Sequence, residues 1–154
     1  MRAPQDLTVV VASAGLPRLL DLQVRAIRTF LSPSARVLVV DDSRSRRHYS
    51  NQGTWNTPKE IKRVCKVTGS EYRRMPQILH LVRRRQFPAT THPWGAGPSL
   101  RTADSLQFAW RFLEITDESP LVMLDSDMVP IKPLSLFTYL AGSDIAFLPQ
   151  TRTT

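Results

Sequence analysis

Apolar positions fall along this chain in short blocks of two kinds, and the blocks alternate. "LTVVVASA" (residues 7–14) is an uncharged, β-branched run, the pattern of a strand buried on both faces. The next block, "GLPRLLDLQVRAIRTFL", repeats its apolar residues at helical spacing through Leu20, Val24, Ile27 and Leu31, with Arg18, Asp21, Arg25 and Arg28 on the other faces. Pro17 suits the first turn of that helix. After the turn "SPSA" comes "RVLVVDDS", a second apolar strand that ends in Asp41 and Asp42. Strand, helix, strand predicts a parallel pair joined by a right-handed crossover.

Between Arg44 and Trp94 the periodicity weakens. "TPKEIKRVCKV" carries a helix start, with Thr57 as cap, proline next and Glu60 three residues after the cap. "MPQILHLVRRRQF" fits strand or helix, and "PATTHPWGAGP" reads as loop. Helical spacing returns in "SLRTADSLQFAWRFLEI", which predicts one apolar face made of Leu100, Ala103, Leu106, Trp110 and Leu113. "SPLVMLDSD" is a third strand, "IKPLSLFTYLAG" a short helix and "SDIAFLPQ" a fourth strand. The pattern predicts one α/β domain over residues 1–154, a mostly parallel sheet flanked by helices, with 44–94 as a basic insertion or connection.

At 154 residues the chain can bury roughly 70% of its unfolded surface in one core. No apolar run approaches the roughly 20 residues of a membrane-spanning helix. The apolar stretch Leu7–Ala12 is interrupted by Thr8 and is short for a secretory signal, so a cytoplasmic location is expected. Cys65 is the single cysteine, which excludes an internal disulfide and a cysteine-based zinc cluster. The net charge of +8 is uneven: from Arg44 to Arg85 twelve basic residues face only Glu60 and Glu71, a segment charge of +10 that leaves −2 for the remainder. Such a segment attracts an anion: nucleic acid, a phosphate-bearing ligand or an acidic membrane surface. The three histidines, His48, His80 and His92, show no metal-ligand spacing.

Two predicted strands end in acids, Asp41-Asp42 and Asp125-Asp127, and in open α/β sheets ligands bind outside the carboxyl ends of the strands. If the chain stays extended, Asp125 and Asp127 point to the same side. Two carboxylates suit a hard divalent cation, Mn²⁺ or Mg²⁺, whose shell is completed by water and phosphate oxygens. The plain alternative is that both acidic pairs only solvate strand ends.

The successive landmarks "TVVVASA", "VLVVDDS", "GPSLRTADSLQFAW" and "VMLDSDMVP" resemble those of a GT-A glycosyltransferase, nearest the family 2-like type, a Rossmann-like fold that takes nucleotide-diphosphate sugars. The resemblance spans most of the chain outside 44–94. It implies that the loop after the first strand (Ala12, Ser13 and Ala14) and the acids after the second (Asp41, Asp42) hold the nucleotide. It further implies that Ser99, Arg101 and Asp104 lie near sugar and phosphates, and that Asp125-Ser126-Asp127 is a DxD motif whose carboxylates hold the metal against the donor's diphosphate. The acceptor would be a glycan, a lipid or a protein. Only 27 residues follow Asp127, with Asp144 as their one acid and no histidine, so no catalytic base is assigned. A fragment, a donor-binding half or a degenerate copy of the domain is expected.

Two rivals belong to other classes. "DSDMV" also fits the haloacid-dehalogenase-like pattern, with Asp125 as phosphoryl-accepting nucleophile and Asp127 as acid/base. That chemistry needs Ser/Thr, Lys and further acids downstream, for which little chain remains. The non-enzyme rival is a basic α/β module that binds nucleic acid through Arg44–Arg85, although no helix-turn-helix, zinc or RNA-binding signature is present.

Overall fold

The computed structural model describes residues 7–13, 15–43, 57–76, 78–79, 82, 91–92, 95–96, 98–111, 120–136 and 138. Strand β1 (Thr8–Ser13) leads through helix α1 (Pro17–Phe30) to β2 (Arg36–Asp41), and α2 (Thr57–Thr68) leads to β3 (Glu71–Arg74). A two-residue antiparallel pair, β4 (Thr91–His92) and β5 (Gly95–Ala96), precedes α3 (Pro98–Trp110) and β6 (Leu121–Asp125). The main sheet is wholly parallel, in the order β3-β2-β1-β6. This is the α/β class read from the sequence, in a Rossmann-like arrangement.

The two faces of the sheet follow from the period-2 alternation of its strands. Val9, Val11, Val37 and Val39 pack with Leu20, Val24 and Ile27 of α1 and with Ile61, Val64 and Cys65 of α2. Val10, Leu38 and Val40 point the other way, onto Met75 and Ala109, with Leu106 and Phe108 against them. Helices therefore cover both faces, which is why β1 and β2 read as unbroken apolar runs. From β1 the sheet grows to β2 and β3 with α1 and α2 on one face. It then reverses to β6 through α3 on the other, as a fixed crossover handedness requires.

Pro17 opens α1 as expected. Helix α2 ends on Gly69, whose φ of +63° is left-handed. Bonds from Ser70 N–H to the Cys65 carbonyl (2.8 Å) and from Gly69 N–H to the Lys66 carbonyl (3.4 Å) close a Schellman motif there.

Several expectations need correction. Strand β3, sequence EYRR, was not anticipated. The segment after it, readable as strand or helix, is helical at 78–79 and 82, and the proline/glycine loop contains the β4–β5 pair. The expected stripe on α3 is buried only in part: Leu106 packs on the core, but Ala103 and Trp110 are exposed, whereas Arg101, Asp104, Ser105 and Ala109 are buried. The short helix expected after β6 needs no correction among the described residues, of which 136 and 138 are helical. The predicted strand at 143–150, together with Leu113, Asp144 and Ala14, lies outside the described residues. Among the described residues no helix is long and apolar enough to cross a membrane.

Candidate functional site

Parallel register brings the chemistry to one edge of the sheet. Ser13 lies opposite Asp41, and Ala12 lies opposite Asp125, so the carboxyl ends of β1, β2 and β6 are level. The chain leaves β1 towards β2 on one side and returns to β6 on the other. The point of reversal, between β1 and β6, is where such sheets open a crevice. The N-terminal turn of α3 spans this edge: Arg101 reaches the end of β2 and Thr102 the end of β6.

The β2 end is closed. Asp41 is fully buried. Its Oδ1 accepts the Ser43 N–H at 2.8 Å, and its Oδ2 accepts the Tyr72 hydroxyl at 2.7 Å and Arg74 Nη1 at 2.8 Å. Burial, with Asp41 as hydrogen-bond acceptor and negative neighbour, pushes the Tyr72 hydroxyl up to about 12. The carboxylate of Asp42 accepts Nε and Nη2 of Arg101 at 2.7 and 2.6 Å, and its carbonyl accepts Arg101 Nη2 at 2.6 Å. Arg101 and Asp42 are both buried, as are Ala12 and Ser13. Asp41 and Asp42 thus bind protein groups, and Asp42 supplies the negative charge that offsets an arginine in the first turn of α3, where a cation is otherwise unfavourable. Gly15, with φ of +98°, presses against this end, because a Cβ there would meet Ser43 Cβ at 3.1 Å and Thr57 Cγ2 at 3.2 Å.

The β6 end is open. Extended structure stops at Asp125, and the Met128 N–H bonds back to the Asp125 carbonyl at 3.2 Å, so Asp125–Met128 is a β-turn. The same-side placement expected of an extended Asp-x-Asp is therefore replaced by turn geometry, with Asp125 first in the turn and Asp127 third. Asp125 is partly buried; its Oδ1 accepts the Ser126 N–H at 2.7 Å, and the Thr102 hydroxyl lies 3.4 Å from both of its oxygens. Asp127 is exposed. Among the described residues no ion pair engages either carboxylate.

Of the other candidates, Ser99 lies in the first turn of α3, and Ser126 occupies the second position of the turn. Asp104 is buried and lines a cavity of about 230 Å³ between α3 and the chain after β3, with Met75, Leu79, Val82, Gln107, Phe108 and Arg111. Among the described residues no group of three or more His, Cys, Asp or Glu side chains could hold a metal ion. Among the described residues at this edge, Asp125 and Asp127 are the carboxylates that could be offered to such an ion. Two hard carboxylates, with the remaining positions left to water and phosphate oxygens, form a donor set that suits Mg²⁺ or Mn²⁺.

Gln23, Thr102, Tyr72 and Arg74 were not singled out from sequence. Only Gln23 had a local signal: a polar residue three positions after Leu20 and four before Ile27, on the apolar face of α1. Comparison of the chain with protein-family models, with curated proteins and with solved structures gave no match in any of the three.

Proposed function

We propose that this domain binds a nucleotide-diphosphate sugar at the crevice between β1 and β6 and transfers its sugar to an acceptor. The observation that carries the reading is the contrast at one sheet edge: among the described residues, Asp41 and Asp42 are buried against Arg74 and Arg101, whereas Asp125 and Asp127 engage in no ion pair, next to the point where strand order reverses. The resemblance of the chain's landmarks to the GT-A pattern supplies the substrate class. In transfer, the acceptor oxygen bonds to the anomeric carbon as that carbon's bond to the diphosphate oxygen breaks. The nucleoside diphosphate leaves with the electron pair, and the acceptor's proton passes to a base. A divalent cation held by Asp125 and Asp127 would neutralise charge on the departing diphosphate. Thr102 orients Asp125, and the Arg101–Asp42 pair fixes the helix that carries Thr102.

Calorimetric titration with UDP-, GDP- and dTDP-sugars, with and without Mn²⁺, tests the reading. One donor should bind only with the metal, and Asp127→Ala should abolish that binding while the fold persists. Unchanged binding in the variant would remove the metal assignment.

A second reading is favoured by α2, where Lys59, Lys62, Arg63 and Lys66 are all exposed at helical spacing on one face. A polyanion, nucleic acid foremost, would dock there. Reversing all four charges should then flatten the salt dependence of polynucleotide binding by about three in log–log slope for a single strand.

A further inference from the structure

Gln23 is wholly buried, in the middle of α1, and lies 102 residues in sequence from the nearer of its two partners. Its Nε2 donates to the Asp125 carbonyl at 2.8 Å and to the Met128 carbonyl at 2.7 Å. Two acceptor oxygens at these distances fix which way the amide faces, because its own oxygen would be repelled there. The two carbonyls belong to the first and last residues of the turn that presents Ser126 and Asp127. One side chain therefore closes the turn from below while the Met128 N–H closes it along the chain. The rest of that helix face is apolar, with Leu20, Val24 and Ile27 buried around it. Neither the Thr102 hydroxyl nor the Ser126 N–H, which both bind the Asp125 side chain, fixes where Asp127 points. Gln23 instead bonds the backbone at both ends of the turn that carries Asp127.

We propose that Gln23 is a positioning residue for the Asp125–Asp127 carboxylate pair, clamping the Asp125–Met128 turn so that both carboxylates address one divalent cation. The proposal rests on the metal reading given above. If instead Gln23 only satisfies two buried carbonyls, its loss weakens the fold without a selective effect on the metal.

The test compares the intact chain with Gln23→Met, which keeps the length and removes the donor, and with Val24→Ala, which damages the adjacent core position and leaves the clamp. Three quantities are read: affinity for Mn²⁺ alone, Tm, and hydrogen exchange at the Met128 amide. Gln23→Met should weaken Mn²⁺ binding about tenfold or more, as loss of groups that orient metal ligands does elsewhere, and should speed Met128 exchange. Val24→Ala, at an equal or larger fall in Tm, should leave Mn²⁺ affinity within about twofold. Equal loss of affinity in the two variants at matched Tm would overturn the proposal. Should Gln23→Met not fold, Gln23→Asn, too short to reach both carbonyls, takes its place with the same expectations. If the unaltered protein binds no Mn²⁺, the metal reading falls. Met128 exchange then decides separately whether Gln23 holds the turn, and exchange unchanged from Val24→Ala would overturn the clamp as well.

Discussion

Two strands of one sheet end in a pair of aspartates at the same edge, and the protein treats the pairs in opposite ways. At the end of β2, Asp41 and Asp42 are drawn inside and neutralised by Arg74 and Arg101, with Tyr72 as a further donor. At the end of β6, Asp125 and Asp127 meet a hydroxyl, one backbone N–H and solvent. A buried carboxylate must be paired, because removal from water costs several kcal/mol. A partly exposed one can leave its lone pairs to a ligand. Each cation at the closed end arrives from far along the chain, Arg74 from β3 and Arg101 from α3. Similar acidic strand ends thus become a structural strut or a candidate site according to which remote segment packs beside them.

The contrast breaks most visibly at Arg101. Arg101→Met leaves Asp42 buried without its cation and should cost about 3–5 kcal/mol of unfolding free energy, read from the urea midpoint. Adding Asp42→Leu should recover part of that loss, since a buried pair replaced whole by apolar groups is often near neutral. A loss under about 1 kcal/mol in Arg101→Met would show that the β2 end is open too.

Asp41→Asn is expected to cost less, about 1.5–3 kcal/mol, because neutral hydrogen bonds can replace part of what the charge provides. The same cluster predicts an alkaline effect. With the Tyr72 hydroxyl at about 12 in the folded state, the native protein keeps a proton that the unfolded chain loses near 10. Unfolding therefore releases that proton between these values, and stability present below pH 10 falls as pH rises towards about 12. Tyr72→Phe should make this part of the stability curve shallower, and an unchanged slope would dissociate Tyr72 from Asp41.

What the sequence made legible was whatever local periodicity encodes. Strands β1, β2 and β6 and helix α1 carry apolar runs or a clean helical stripe, α2 carries a capping signal, and each formed where its signal placed it. Strand β3 was illegible because its four residues include one acid and two arginines; it exists by pairing with β2 and by the grip of Tyr72 and Arg74 on Asp41. Although Leu106 packs on the core as expected, part of the face of α3 differs from its apolar stripe for a related reason. Its rotation is set by the Arg101–Asp42 pair and by Ser105 against Met75, which turn Ala103 and Trp110 outwards. The acidic strand ends were legible as positions, but their difference was not, because it depends on partners 31 to 59 residues away. The bend at Asp125 follows from turn-forming Asp-Ser-Asp, chemistry that outweighs the preceding apolar run.

The smallest stability effect carries the sharpest meaning. Asp127 is exposed in a short turn, so water solvates its charge. Asp127→Ala should leave the unfolding free energy within about 0.5 kcal/mol of the parent. A carboxylate that contributes nothing to the fold and sits at a point of strand-order reversal has its lone pairs available to a cation. Loss of Mn²⁺ binding at unchanged stability in this variant would complete the contrast, because altering Asp42 alone strands the buried Arg101 charge and weakens the fold. A stability loss of about 2 kcal/mol or more would instead place Asp127 with the buried acids and erase the difference between the two ends.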